Sequence, residues 1–500
     1  MKRALVILLT LSCFVFVLPV SAQEQTDLRE EIIYNILIDR FNNGDQTHSE
    51  QVRIDDPLAY HGGDITGIMT KLDDLKTLGF TTISLSPVMQ NAPDGYHGYW
   101  IEDFYEVEDQ FGTMEDLKTL VEEAHKRDIN VILEFVMNYV STSHPFVTDP
   151  DKEHWFKEVN HPENLSESTY WLDDVAMFDL DQADVQSYLF EVAEFWMTET
   201  GVDGFKLHAA DQASPDFVIS LTSFLKDKDT NFCILANILN DEADIDGLRD
   251  NPNIDAIDNY VLFEAMNEVF TEVGAPVTHI YEAWENSGDE KDLLFVDNQD
   301  TARFANNIAE NGRNTLTTWK LALTYLYTTP GIPSLYQGSE LKMYGPGFPE
   351  NQQMMQFNST DPDLEEFHHR ISSLHEQFPV LSYGDFEQVE VNEALSVFKR
   401  SLDDEVMYIA INNDEEMREA TLTEIPSNMQ LRGLFGDNII REDENGEFLF
   451  TLPRESVEVF IIEENMGINW LYIALVTSVF VIFVGSIIYL SRKQKARQQT

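Results

Sequence analysis

One pattern between residues 32 and 336 limits the folds open to this chain: short apolar runs alternate with amphipathic stretches, and there are eight such runs. They fall at 32–38, 81–85, 130–135, 202–207, 232–235, 254–260, 293–296 and 332–336, with helical periodicity at 65–78, 114–127, 217–226 and 315–328. Runs of this length suit buried strands, and helices interposed between strands demand parallel pairing. Eight strand-then-helix units predict an α/β fold, a closed (β/α)8 TIM barrel whose functional groups gather at the C-terminal ends of the strands.

The third unit carries an excursion, 138–179, rich in aromatic residues (Trp155, Tyr170, Trp171), which predicts a small inserted subdomain. Past Gln377 the period changes. Segments 389–398, 406–412, 420–422, 431–434, 447–452 and 457–462 alternate like half-buried strands, with Asn412-Asn413-Asp414 and Glu444-Asn445-Gly446 as turns. This predicts a C-terminal all-β sandwich at 385–464, following a barrel at 23–384.

The two ends set an expected compartment. Residues 1–22 begin with Lys2 and Arg3, continue as an uncharged apolar run and end in Val20-Ser21-Ala22, the layout of a signal peptide. Residues 468–490 hold no charge and are long enough to cross a bilayer as a helix. The tail at 491–500 carries Arg492, Lys493, Lys495 and Arg497, so it is expected on the cytoplasmic side with the bulk of the chain outside the cell. A sortase-type sorting signal competes for this tail, but Leu452-Pro453-Arg454-Glu455-Ser456 shares only two letters with the LPxTG pattern. Of the two cysteines, Cys13 lies in the leader, which leaves Cys233 without a partner for an internal disulfide.

Charge excludes one function class. The chain has 32 basic against 89 acidic residues, and the six basic residues of the two ends have no acid beside them, leaving 26 against 89 between. Such a surface repels phosphate backbones, so nucleic acid is not an expected partner.

Six motifs then fall, in order, where a barrel places its loops. They are Ile33-Tyr34 through Asp39-Arg40-Phe41-Asn42-Asn43-Gly44-Asp45; His61-Gly62-Gly63-Asp64-Ile65-Thr66-Gly67-Ile68; Tyr96-His97-Gly98-Tyr99-Trp100; Gly204-Phe205-Lys206-Leu207-His208-Ala209; Phe295-Val296-Asp297-Asn298-Gln299-Asp300-Thr301-Ala302-Arg303-Phe304; and Pro330-Gly331-Ile332-Pro333-Ser334-Leu335-Tyr336-Gln337-Gly338-Ser339-Glu340. Together they resemble the α-amylase family, glycoside hydrolase family 13, over about 32–462. The resemblance implies a sugar cleft at the barrel mouth with His97, Tyr99, Trp100, Tyr139, Lys206, Gln299 and Arg303 at substrate-binding positions, Tyr99 stacking on a ring.

The departures from the family pattern cluster on its chemistry. A retaining glycosidase needs two carboxyl groups about 5–5.5 Å apart, one as nucleophile and one as acid. His208 stands at the nucleophile position and Asn237 at the acid position; of the catalytic trio only Asp300 is retained. An amide has no proton to give, and Lys206 replaces a guanidinium that it does not equal. The family's two sugar-binding histidines are Tyr139 and Gln299. For structural calcium, the resemblance assigns Asn138 and Asp179 at one site, where Gln212 replaces the family's His ligand, and Asn43, Asp45, Gly62 and Asp64 at another, hard oxygen donors of the kind calcium takes.

These readings predict a non-catalytic, membrane-anchored ectodomain that binds an α-glucan or cell-wall polysaccharide or scaffolds a membrane-protein partner. Amino-acid transporter heavy chains resemble this arrangement, though their span precedes the domain. The alternative is an active surface α-glucan hydrolase with a rearranged site in which Asp211 or Glu242 substitutes. A structural surface protein without a ligand is the plainest option.

Overall fold

The computed structural model describes residues 27–48, 52–158, 165, 167–240, 243–465 and 470–497. The leader at 1–22 and Glu242 lie outside these residues. Eight parallel strands close a barrel: β1 Ile33–Ile36, β2 Thr82–Leu85, β3 Asn130–Phe135, β4 Gly204–Leu207, β5 Cys233–Ala236, β6 Ala256–Asp258, β7 Asp292–Leu294 and β8 Ile332–Tyr336. Their order around the barrel is the order of the chain, with β1 pairing both β2 and β8. All eight fall within one residue of the apolar runs or inside them.

The strands form where β-branched and aliphatic residues have both faces buried. Inside the barrel Ile33, Ile132, Leu235, Ala256, Leu293 and Ile332 make a cluster of their own, contributed by six different strands. Cys233 packs, partly buried, against that cluster. Helices cover the outside. The one at Met114–His125 starts on a capping box in which Thr113 Oγ1 accepts from the Asp116 amide and Asp116 returns a bond to the Thr113 amide, a start worth about 1 kcal/mol. The stretch 65–78 is two helices, Ile65–Met69 and Leu72–Leu78, because the chain turns at Thr70, whose hydroxyl bonds back to the Gly67 carbonyl.

Between β3 and the helix at Ala183–Thr200 lies the inserted subdomain. Its three-stranded sheet places Val175–Phe178 between Tyr139–Ser141 and Phe156–Lys157. From it a run of 3-10 turns, Glu167–Asp174, reaches over the barrel mouth.

The C-terminal domain has a six-stranded antiparallel sheet facing a two-stranded one, Arg418–Leu422 with Phe448–Leu452. Leu395, Val397, Tyr408, Phe450 and Phe460 fill the space between. One expected strand is corrected: 389–398 is a hairpin, Asp385–Asn392 pairing with Leu395–Leu402. Its turn is hidden in the sequence because Glu393, not a glycine, takes the left-handed conformation (φ 55°), and a bulge between Gln388 and Glu390 breaks the alternation.

This domain is fixed to the barrel. Buried Arg400 donates to the carbonyls of Thr328 and Gly384, and Asn413 Nδ2 reaches the carbonyls of Val269, Glu272 and Ala275. Phe398, Met407 and Val459 belong to the same apolar core as the barrel's outer layer.

The last element is one long helix, Trp470–Arg497. Within it Ile473–Ser491 has a mean hydropathy of 2.5 and none of it is buried in the fold, so by length and composition it can cross a membrane.

Candidate active site at the barrel mouth

Each strand delivers a polar residue to the C-terminal mouth of the barrel, where a TIM barrel builds its site. A small cavity there is lined by Asn35 from β1, Ser84 from β2, Glu134 from β3, Lys206 from β4, Asn237 after β5, Asp258 from β6, Asp300 after β7 and Ser334 from β8. Its floor and walls hold more carboxylates than cations, and the geometry pairs them off.

His208 follows directly on β4. It is 2 % exposed, and its Nδ1 donates to Glu134 Oε1 at 2.7 Å. The same carboxylate oxygen accepts from the Tyr99 hydroxyl at 3.2 Å, and Gln299 Nε2 donates to that hydroxyl at 2.7 Å. The imidazole ring stacks on Tyr99, 4.3 Å between centroids with 26° between planes. The turn is held in place by Asn138, whose amide donates to the carbonyls of His208 and Ala209. Ala209 adopts φ 48°, a left-handed conformation unusual for a residue with a Cβ.

A second pair sits beside the first. Lys206 Nζ lies 3.3 Å from Asp258 Oδ1, and Asn237 Nδ2 donates to Asp258 Oδ2 at 2.9 Å. Asn237 Oδ1 in turn accepts the Ala209 amide. Both positions at which the family resemblance puts reacting carboxyl groups are therefore committed to hydrogen bonds that hold strands β3 to β6 together.

Asp300 accepts from Ser168 Oγ at 2.9 Å, a contact from the inserted subdomain. Desolvation, and then the charge of Glu134, raise its affinity for a proton above that of an ordinary carboxylate, while Ser168, His208 and Lys206 oppose this. His97 is buried, which pushes its pKa down to about 3 and keeps the ring neutral. Its Nδ1 accepts the Tyr99 amide, so Nε2 carries the hydrogen; that nitrogen is buried with no hydrogen-bond partner among the described residues.

Tyr99 does not offer a free face. It is 4 % exposed, with His208 on it and Trp171 4.5 Å away, and Trp100 Nε1 holds the Trp171 carbonyl at 2.8 Å. Tyr139 packs edge-on against Trp171. Arg303 is fully buried and away from the cavity lining: it donates to the carbonyls of Asn351 and Gln337 and lies over the Tyr336 ring, tying down the loop after β8. Thus His97, Tyr99, Trp100, Tyr139, Lys206, His208, Asn237, Gln299 and Asp300 come together, and Arg303 supports them from behind.

Asp211, the proposed substitute nucleophile, is occupied elsewhere. Its two oxygens accept the amides of Leu239 and Asn240 and the side chain of Gln212. Four participants were not foreseen: Glu134, Asp258, Ser168 and Trp171. For Glu134 and Asp258 the available signal was their place near the ends of apolar runs; the other two depend on partners far away in sequence.

Among the described residues no group of three or more His, Cys, Asp or Glu side chains is arranged to hold a metal. The calcium positions are richer in amide and carbonyl oxygen. Asn43, Asp45, Gly62 and Asp64 share one loop cluster, in which Asp64 accepts the amides of Gly44, Asp45 and Gly67. A Cβ on Gly62 would meet the Asn43 side chain at 2.8 Å. Among the described residues Asn43 Oδ1 and Asn138 Oδ1 are both buried with no hydrogen-bond partner, so each position offers an oxygen to a cation. Asp179 instead accepts from Gln182 and the Asp181 amide.

Comparison with known proteins gives the family. Residues 35–286 match the α-amylase catalytic domain and residues 384–460 the α-amylase C-terminal domain. An α-amylase of Anoxybacillus superposes with a TM-score of 0.83 at 35 % identity, covering 88 % of this chain and 99 % of its own. The α-amylase of Geobacillus thermoleovorans, solved with acarbose, gives 0.80 at 36 % identity over the same shares. A Bacillus cyclomaltodextrinase is 26 % identical over 80 % of this chain and 76 % of its own, and a Paenibacillus polymyxa β/α-amylase is 28 % identical over 87 % of this chain, which spans 38 % of that longer protein. Barrel, C-terminal domain and mouth together make this chain a member of the α-amylase family, glycoside hydrolase family 13.

Proposed function

We propose that the chain is a pseudoenzyme of carbohydrate recognition, an α-amylase-like ectodomain that does not cleave glycosidic bonds. One observation carries this: His208 and Asn237, at the nucleophile and acid positions, are locked into buried hydrogen bonds with Glu134, Asp258 and the Ala209 amide. An imidazole and an amide at these two positions supply neither the carboxylate that attacks nor the carboxylic acid that protonates the leaving oxygen. The relatives are named for acting on α-glucans, which makes an α-glucan, or a cell-wall polysaccharide of like chemistry, the class of ligand for the mouth. A membrane-protein partner scaffolded by the ectodomain is the other use of the same inert frame. The leader and the helix ending in a basic tail support a single-pass anchor with the ectodomain outside the cell. Calcium, held by Asn43, Asp45, Gly62 and Asp64 or near Asn138 and Asp179, would serve the loops around the mouth.

The test is turnover of a chromogenic malto-oligosaccharide by the mature full chain, in a detergent without a sugar headgroup, beside the double variant His208→Asp, Asn237→Glu. The reading expects no product from the wild type above that of a mock preparation. Product formed by wild type, and lost on changing Asp211 or Glu242, would establish the rearranged hydrolase instead.

A further inference from the structure

The run of 3-10 turns Glu167–Asp174 crosses the barrel mouth carrying the chemistry of a bound sugar. Ser168 Oγ donates to Asp300 Oδ1 at 2.9 Å, the bond a sugar hydroxyl would make with that carboxylate. Trp171 lies tilted over the Tyr99 ring, centroids 4.5 Å and planes 39° apart, and so covers the aromatic surface on which a pyranose would pack. Tyr170 fixes the outer side by stacking on Phe348 at 5.1 Å and 29°.

The imitation is incomplete. Beneath these side chains His97 Nε2, an N–H, and His208 Nε2 are buried and have no hydrogen-bond partner among the described residues. Leaving such groups unmade is costly, and a hydroxylated ligand would supply what the indole cannot. The segment itself is a long 3-10 run, whose hydrogen bonds are poorer than those of an α-helix. It is thus an occupant that fills the cleft by shape and by polar contacts that include Ser168 with Asp300 and the Trp171 carbonyl with Trp100, and it leaves the two imidazole nitrogens for a ligand to satisfy.

We propose that residues 167–174 form a built-in plug that stands in for a glucosyl ring, so that an α-glucan enters the cleft only by displacing it. The proposal rests on the recognition reading above and adds a regulatory step to it. The apparent affinity of the wild type is then reduced by the fraction of molecules whose plug is out, and weakening the plug raises it.

The experiment is calorimetric titration of maltoheptaose into the mature full chain in sugar-free detergent, for wild type, Trp171→Gly and Ser168→Ala, with circular dichroism and melting curves to establish folding. Trp171→Gly is expected to bind at least tenfold tighter than wild type, and Ser168→Ala severalfold tighter. If folded Trp171→Gly and Ser168→Ala both bind no tighter than wild type, the plug is refuted; should Trp171→Gly not fold, Ser168→Ala decides alone by the same criterion. Product analysis on the same samples separates the two claims. Released sugar overturns the non-hydrolytic reading, whereas unchanged affinity without product overturns the plug only.

Discussion

Removing the imidazole of His208 should expose how much of this fold depends on the pairing at its mouth. The Glu134 carboxylate is 7 % exposed and receives two bonds, from His208 Nδ1 at 2.7 Å and from the Tyr99 hydroxyl at 3.2 Å. His208→Ala leaves the longer one. Breaking a buried pair by deleting one partner costs roughly 3–5 kcal/mol, because the other charge stays buried. The lost ring contact with Tyr99 adds to this, while the retained Tyr99 bond offsets part, so about 4 kcal/mol is expected. At about 1 °C per kcal/mol for a folded unit of this size, the melting temperature should fall about 4 °C. Adding Glu134→Gln removes the stranded charge and should restore about 2 kcal/mol, which appears as a coupling energy in the double-mutant cycle. The assay is thermal unfolding of wild type, both single variants and the double variant at one pH. A cycle with coupling near zero, or a His208→Ala loss under about 1 kcal/mol, would show that the histidine is filler and not the partner of Glu134.

Other predictions concern groups away from the mouth. Asp292 is fully buried, and burial outweighs Arg249, Asn259 and the Asp289 amide to raise its pKa from 3.8 to about 6. The folded state therefore holds this proton where the unfolded state has released it. That contribution is present below pH 3.8 and is lost as pH rises to about 6, at most about 3 kcal/mol. Asp292→Asn should flatten the stability profile over that window, as read by urea unfolding from pH 4 to 7; an unchanged slope contradicts the assignment. Calcium added to chelator-treated protein should raise the melting temperature, by an amount equivalent to about 2.7 kcal/mol at a hundred times its dissociation constant. Asn43→Leu should abolish the part due to the first loop, and no shift in wild type would remove calcium from the account. A chain ending at Asn465 should leave the membrane fraction and appear in the medium, and its retention in membranes would refute the anchor.

Much of the fold could be read from the sequence because parallel strands are buried on both faces and announce themselves as apolar runs; β3 and β8 fall at the expected residues. The hairpin at 385–402 could not, since its turn rests on a glutamate in a glycine conformation. At the mouth, motif spacing located His208, Asn237 and Asp300 but gave no view of what they do. Their roles come from Glu134 and Asp258, which lie 74 residues from His208 and 21 from Asn237 along the chain. Trp171 read as an aromatic of the inserted subdomain, and in one sense it is; it packs on the rings of Tyr99 and His208 at the barrel mouth.

The claim that the reacting positions are inert is tested most directly by covalent trapping. Incubating the mature full chain with 5-fluoro-α-glucosyl fluoride, which accumulates as a glycosyl ester on any competent carboxylate nucleophile, and weighing the intact protein asks about every candidate at once. The account predicts an unchanged mass for wild type. A mass increase of one fluoroglucosyl unit, mapped to any carboxylate of the mouth or to Asp211, would contradict it.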